Sequence, residues 1–185
     1  HPPTATFNTG PLHAVHPILM NSDLLKAAPK QCEDRDFVLA AVKISGVAIR
    51  YASERLRADT DVALQAVRQN GRALEFVAET CREDRKIVQA AVGKWAIALQ
   101  FAAPALRDDR DIVLRAVRKW GVAIKHASER LRADREIVLI AVKRNSAALK
   151  YASAELRAEL RAGHPSVRQL GTGAVSLSRA EDDDG

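Results

Sequence analysis

Asp34-Arg35-Asp36-Phe37-Val38-Leu39 returns as Asp59-Thr60-Asp61-Val62-Ala63-Leu64 and again as Asp84-Arg85-Lys86-Ile87-Val88-Gln89. It continues as Asp109-Arg110-Asp111-Ile112-Val113-Leu114 and Asp134-Arg135-Glu136-Ile137-Val138-Leu139. The starts stand 25 residues apart each time, without an insertion. A fixed period of this size marks a repeat architecture, in which one unit cannot bury its own apolar face and stacks on its neighbours. Upstream, Leu24-Leu25-Lys26-Ala27-Ala28-Pro29 echoes Leu99-Gln100-Phe101-Ala102-Ala103-Pro104, half a unit. Downstream, a sixth start at Glu159 collapses at Gly163-His164-Pro165.

The first half of each unit has a helical period: Phe37, Val38, Ala41 and Val42 share one face. Its leading Asp suits the N-cap, where a carboxylate accepts from unpaired backbone N–H groups. The acid two residues later (Asp36, Asp61, Asp111, Glu136) falls in the first turn, with Lys86 as the exception. Ser45-Gly46, Asn70-Gly71, Trp120-Gly121 and Asn145-Ser146 end the helix, the glycines being expected in the left-handed conformation. The second half repeats an Ala, an aliphatic residue, an aromatic slot (Tyr51, Phe76, Phe101, His126, Tyr151) and a late Leu or Cys81. Two positions are Ala in every copy: Ala41, Ala66, Ala91, Ala116 and Ala141, then Ala48, Ala73, Ala98, Ala123 and Ala148. Small residues fixed at two positions predict a close helix crossing.

The expected fold is therefore all-α: a short α-solenoid of about five 25-residue helical-hairpin repeats with extended N- and C-terminal tails. Residues 1–23 form the N-terminal tail, 24–33 a half-repeat cap, 34–158 the repeats, and 159–185 a C-terminal linker and acidic tail. Ten short helices, two per unit, should break near Gly46, Gly71, Ala96, Gly121 and Ser146. The unit resembles the tandem repeats catalogued as domain of unknown function 4116, over residues 34–158. The resemblance implies a helical array, no assigned activity, no catalytic residues to carry over, and a distribution mainly in protists and algae.

Recurrent positions are apolar or small and the recurrent acid is a cap, so the sequence predicts no enzyme and no catalytic residue. Cys32 and Cys81 form no disulfide framework and stand at no metal-ligand spacing from a second Cys or His. No metal site or required cofactor is expected, and Cys81 reads as a small core residue. His126 reads as a ring packing like Tyr51, with a pigment or metal ligand as the competing reading, so pigment or lipid contact stays open. Gly171-Thr172-Gly173 lacks the strand context of a dinucleotide loop.

The chain carries +6 overall, with +8 on residues 34–158 and −2 on residues 159–185. Corresponding cations stack into ridges: Lys43, Arg68, Arg118 and Lys143, then Arg50, Lys125 and Lys150. A solvated face, with Arg35, Arg85, Arg110 and Arg135 pairing with the next unit's acids, is one reading. The other is a track for an RNA backbone, with Trp95 and Trp120 as base platforms. Candidate partner-binding residues are Lys119, Lys125, Lys143, Lys150, Trp95, Trp120 and the acidic Asp182, Asp183 and Asp184.

The proline-rich start and the acidic end have the composition of segments that order on a partner. The sequence starts at His1 and contains one Met, Met20, which leaves room for a targeting segment removed before it. No uncharged apolar run approaches the roughly 20 residues of a membrane span. These features point to an accessory subunit clasping other protein subunits of a large assembly, peripheral to a membrane complex if near one. The resemblance places that assembly in an organelle: a plastid photosynthetic complex first, a mitochondrial respiratory complex or organellar ribosome second.

Overall fold

A computed structural model describes residues 29–163. Five units follow one another at 34–58, 59–83, 84–108, 109–133 and 134–158, and every described element is helical. The long helices are Arg35–Ile44, Thr60–Gln69, Arg85–Lys94, Arg110–Lys119 and Arg135–Arg144. Each packs on the long helix of the next unit, forming one layer.

The second half of the unit departs from the expected single helix. It is a 3-10 helix (Gly46–Tyr51, Gly71–Glu75, Ala96–Phe101, Gly121–His126, Ser146–Tyr151) followed by a separate short α-helix (Glu54–Arg57, Glu79–Glu83, Pro104–Arg107, Glu129–Arg132, Ala154–Gly163). The 3-10 helices stack into a second layer. The reason for the break is a backbone hydrogen bond that leaves the unit. Ala52 turns extended (φ −69°, ψ 154°), and the Ser53 N–H donates sideways to the Cys32 carbonyl at 2.9 Å. The same rung recurs as Ala78 to Arg57, Ala103 to Arg82, Ser128 to Arg107 and Ser153 to Arg132, at 2.9 to 3.1 Å. An N–H used between units cannot also serve a continuous helix.

The long helices begin as expected. The N–H groups of Asp36 and Phe37 donate to Asp34 at 2.9 and 3.1 Å, and the caps at Asp59, Asp84 and Asp109 repeat this. They end differently. No described glycine has a positive φ. The residue before each break, Ser45, Asn70, Trp95, Trp120 or Asn145, is instead extended, with its N–H bonded to the alanine carbonyl four back. The glycines are required by closeness. A Cβ on Gly46 would lie 2.2 Å from the Ala66 carbonyl oxygen of the next unit. On Gly71 it would meet the Ala91 oxygen at 2.5 Å, and on Gly121 the Ala141 oxygen at 2.3 Å. Ser146 is tolerated because, among the described residues, no sixth unit stacks on it. Ala96 puts a buried methyl at this contact between units three and four.

Both alanine columns are buried throughout the five units. Val38, Val62, Val88, Val113 and Val138 continue the core, with Leu56, Cys81 and Leu131 beneath the short helices. Among the described residues no polar or charged residue is buried. Full burial of one Leu or Ile contributes about 1.5–3 kcal/mol, so the array stands on many modest increments. At the start, Pro29–Glu33 is a 3-10 helix whose Cys32 supplies the first rung; residues 24–28 of the half-repeat lie outside the described residues. At the end, the sixth start does not form. Ala154–Gly163 runs as one helix through Glu159, with Leu160 buried.

Gly71→Ala should destabilise the array by about 1–3 kcal/mol through overpacking, whereas Ser146→Ala should stay within about 0.5 kcal/mol. Equal denaturant midpoints for the two would refute the close-approach account. Ala91→Leu and Ala98→Leu should each lower the melting temperature well below that of Lys94→Ala, an exposed change.

Candidate interaction surfaces

The repeated charges near the caps are used between units. Arg35 donates to Asp59 and Asp61 of the next unit, both at 2.9 Å. Arg85 reaches Asp109 at 2.9 Å and Asp111 at 3.0 Å. Arg110 holds Asp134 at 3.6 Å and also Glu136, and Arg135 holds Glu159 at 3.2 Å. The arginine hydrogen bond holds the Asp59 carboxyl below its ordinary range. Burial pushes the Asp109 carboxyl up, but Arg85 and the N–H groups of Ile112 and Asp111 outweigh it and bring it down. The second unit has Thr60 in place of the arginine, and the third has Lys86 in place of the acid it would meet. The two exceptions fall on one interface and leave no mismatched charge there.

With these charges placed, two faces remain. On the long-helix layer the outward cations line three neighbouring hollows. The first, about 470 Å³, lies between Leu64, Arg68, Lys86, Gln89, Lys94 and Arg115. The second, about 650 Å³, shares Gln89 and Arg115 and adds Leu114, Arg118 and Lys119. The third, about 330 Å³, shares Arg118 and adds Ile140, Lys143 and Arg144. Lys119 also donates to the Gly93 carbonyl of the preceding unit.

The 3-10 layer presents the aromatic slot, and cations of this chain lie over its rings. The Arg50 guanidinium sits 5.0 Å from the Tyr51 centroid and 5.3 Å from that of Phe76. Lys150 is 4.9 Å from Tyr51's counterpart Tyr151, and Lys125 is 6.0 Å from Trp120. Trp95 packs against Phe101 at 6.2 Å. Both tryptophans are half-buried against the core rather than standing as open platforms.

The candidate lysines therefore separate. Lys119 and Lys143 join the hollows of the helix layer, while Lys125 and Lys150 cover rings in the other layer. Asp182, Asp183 and Asp184 lie outside the described residues, as do His13, His16 and His164. Cys81 is buried, and burial pushes its thiol up. Among the described residues no cluster of His, Cys, Asp or Glu is arranged to hold a metal. The sequence reading passed over one column: Arg57, Arg82, Arg107, Arg132 and Arg157 occupy one position in all five units. Each of the first four is fixed by its carbonyl rung beside the next unit's aromatic slot, and the 25-residue register alone would have revealed it.

His126 fills the aromatic slot of the fourth unit with a ring that is polar. Its Nε2 is buried without a partner among the described residues. Burial first, then the Lys125 and Arg107 charges, push its pKa down to about 4. The unfolded chain binds the proton more readily than the folded one, so the folded state is fully favoured only above about pH 6.5. Its stability falls as pH drops from there toward 4. His126→Phe should remove this loss. Melting temperatures at pH 7 and pH 5 should lie closer together in the variant than in the native chain, and an unchanged gap would refute the assignment.

Comparison with curated proteins returns no match, and neither does comparison with solved structures. The family described as Domain of unknown function (DUF4116) matches twice, over residues 34–82 and 109–157. The two matches begin three periods apart and cover the first and second units and the fourth and fifth. Together they span more than half the chain, in register with the ladder of caps and rungs. No helix among the described residues is long and apolar enough to cross a membrane. This chain is a helical-repeat member of the DUF4116 family.

Proposed function

We propose that the array is a non-enzymatic scaffold, an accessory subunit that holds neighbouring protein subunits in a large assembly. The supporting observation is the use made of its recurrent polar groups. Each arginine clamp and each backbone rung ties one unit to the next. A chain whose repeated chemistry is directed at its own rigidity suits presenting a fixed surface at fixed spacing. Such a surface binds without ordering cost on its own side. The terminal segments, proline-rich at 1–33 and acidic at Glu181 to Asp184, add contacts that a partner would order. The family resemblance points to an organellar setting, a plastid photosynthetic complex before a mitochondrial respiratory complex or an organellar ribosome.

Purification of the tagged full chain from cells that make it, under native conditions, tests this. Stoichiometric co-purifying subunits and migration at the mass of an assembly are expected. Recovery as a free monomer, or turnover of a small-molecule substrate by the isolated chain, would overturn it.

A further inference from the structure

The third unit is irregular where it faces outward. Lys86 stands where the other units have an acid, Gln89 where they have Leu, and Gly93 where they have Lys or Arg. All three residues line the first hollow of the long-helix layer. The repeated residues at the Lys86 and Gly93 positions are exposed in the other units, whereas Gln89 takes a place where Leu39, Leu64 and Leu139 pack partly against the core and Leu114 is buried. Gly93 removes a long side chain and opens the hollow, Gln89 makes its floor polar, and Lys86 adds a charge. Lys86 is available because its opposite number, Thr60, is no clamp.

The hollows join through shared residues, so the opening in unit three extends along the layer. Its cations are Arg68 from unit two, Lys86 and Lys94 from unit three, and Arg115, Arg118 and Lys119 from unit four. Lys143 and Arg144 of unit five continue the line. The one carboxylate in it, Asp111, is held by Arg85. Arg110 also lines the second hollow but is held by Asp134 and Glu136; among the described residues no acid pairs with the other trough cations, and Lys119 donates to the Gly93 carbonyl. These other cations average two per unit, so each step of about 8–10 Å from helix to helix brings about two further charges.

We propose that this trough binds the sugar-phosphate backbone of a single-stranded nucleic acid, a second binding function beyond the scaffold reading and independent of it. A run of cations contributed by four successive units matches a polymer bearing a charge on every residue better than a protein segment with scattered acids. The cations are bordered by an acid row, Asp61, Asp111 and Glu136, with Asp111 lining the second hollow, so the open strip faces one strand. Seven residues separate Asp111 from Arg118, about 10 Å of rise. A second phosphate strand would lie over that row and be repelled. No aromatic ring lines these three hollows, so contact within them is to the backbone; Trp95 lines a fourth hollow that shares Lys94.

The test uses the full chain and fluorescently labelled oligouridylate, with anisotropy read across a salt series. Binding should weaken with salt, the logarithmic slope being about −0.7 per phosphate neutralised. Arg115→Glu with Arg118→Glu should weaken binding by about ten-fold or more and flatten the slope. Thr60→Arg with Lys86→Asp restores the arginine clamp of the other units, so its melting temperature should not fall while its affinity does. Lys125→Glu with Lys150→Glu, on the other layer, should leave binding unchanged. The proposal is overturned if oligouridylate fails to bind or if the trough variants bind as the native chain does. It is equally overturned if polyglutamate of similar charge competes as well as unlabelled oligouridylate, which would assign the trough to an acidic protein segment.

Discussion

One carbonyl oxygen per unit governs the array. The Ala66 oxygen receives the N–H of Asn70, which ends its own helix, and the Cα of Gly46 presses against it from the preceding unit. The Ala91 and Ala141 oxygens serve Gly71 and Gly121 in the same way. Helix termination and unit stacking are thus settled at one atom. The approach leaves no room for a Cβ at Gly46, Gly71 and Gly121. Once this distance is set, the remaining fastenings follow. The arginine clamp spans cap to cap, and the rung spans short helix to 3-10 helix.

The long helices were legible because their signals are local: an N-cap Asp, a first-turn acid and a 3.6-residue apolar period. The pairing of Arg35, Arg85, Arg110 and Arg135 with the next unit's acids was legible for a related reason, since the register fixes which charges meet. The 3-10 helix was not. Its end is dictated by the Ser53 N–H bonding to Cys32, a partner that no local pattern announces. The glycines were assigned to the right place for the wrong cause. In sequence, a glycine that adopts a left-handed turn looks the same as one that admits a neighbour's backbone.

On the binding surfaces composition was legible and layer was not. Lys119 and Lys125 are six residues apart, yet one lines the helix-layer trough and the other covers Trp120 in the 3-10 layer. Trp95 and Trp120 were candidate base platforms because helical RNA readers stack bases on aromatic rings. In the structure they close the ends of the long helices and pack inward. The fold sorts the charge of the repeats into a row held between units and a set of outward cations on the long-helix layer.

The third unit also changes how the array comes apart. The first and second units share all three fastenings, the glycine contact, the arginine clamp and the rung, and so do the fourth and fifth. Between the second and third the clamp is missing; between the third and fourth the glycine is replaced by Ala96. In a linear chain of nearest-neighbour couplings, two weakened links on either side of one unit divide the whole into two tightly coupled pairs. The middle unit is then the joint of the rod. Strain from anything bound at either end concentrates there, beside the hollow that its own irregularity opens.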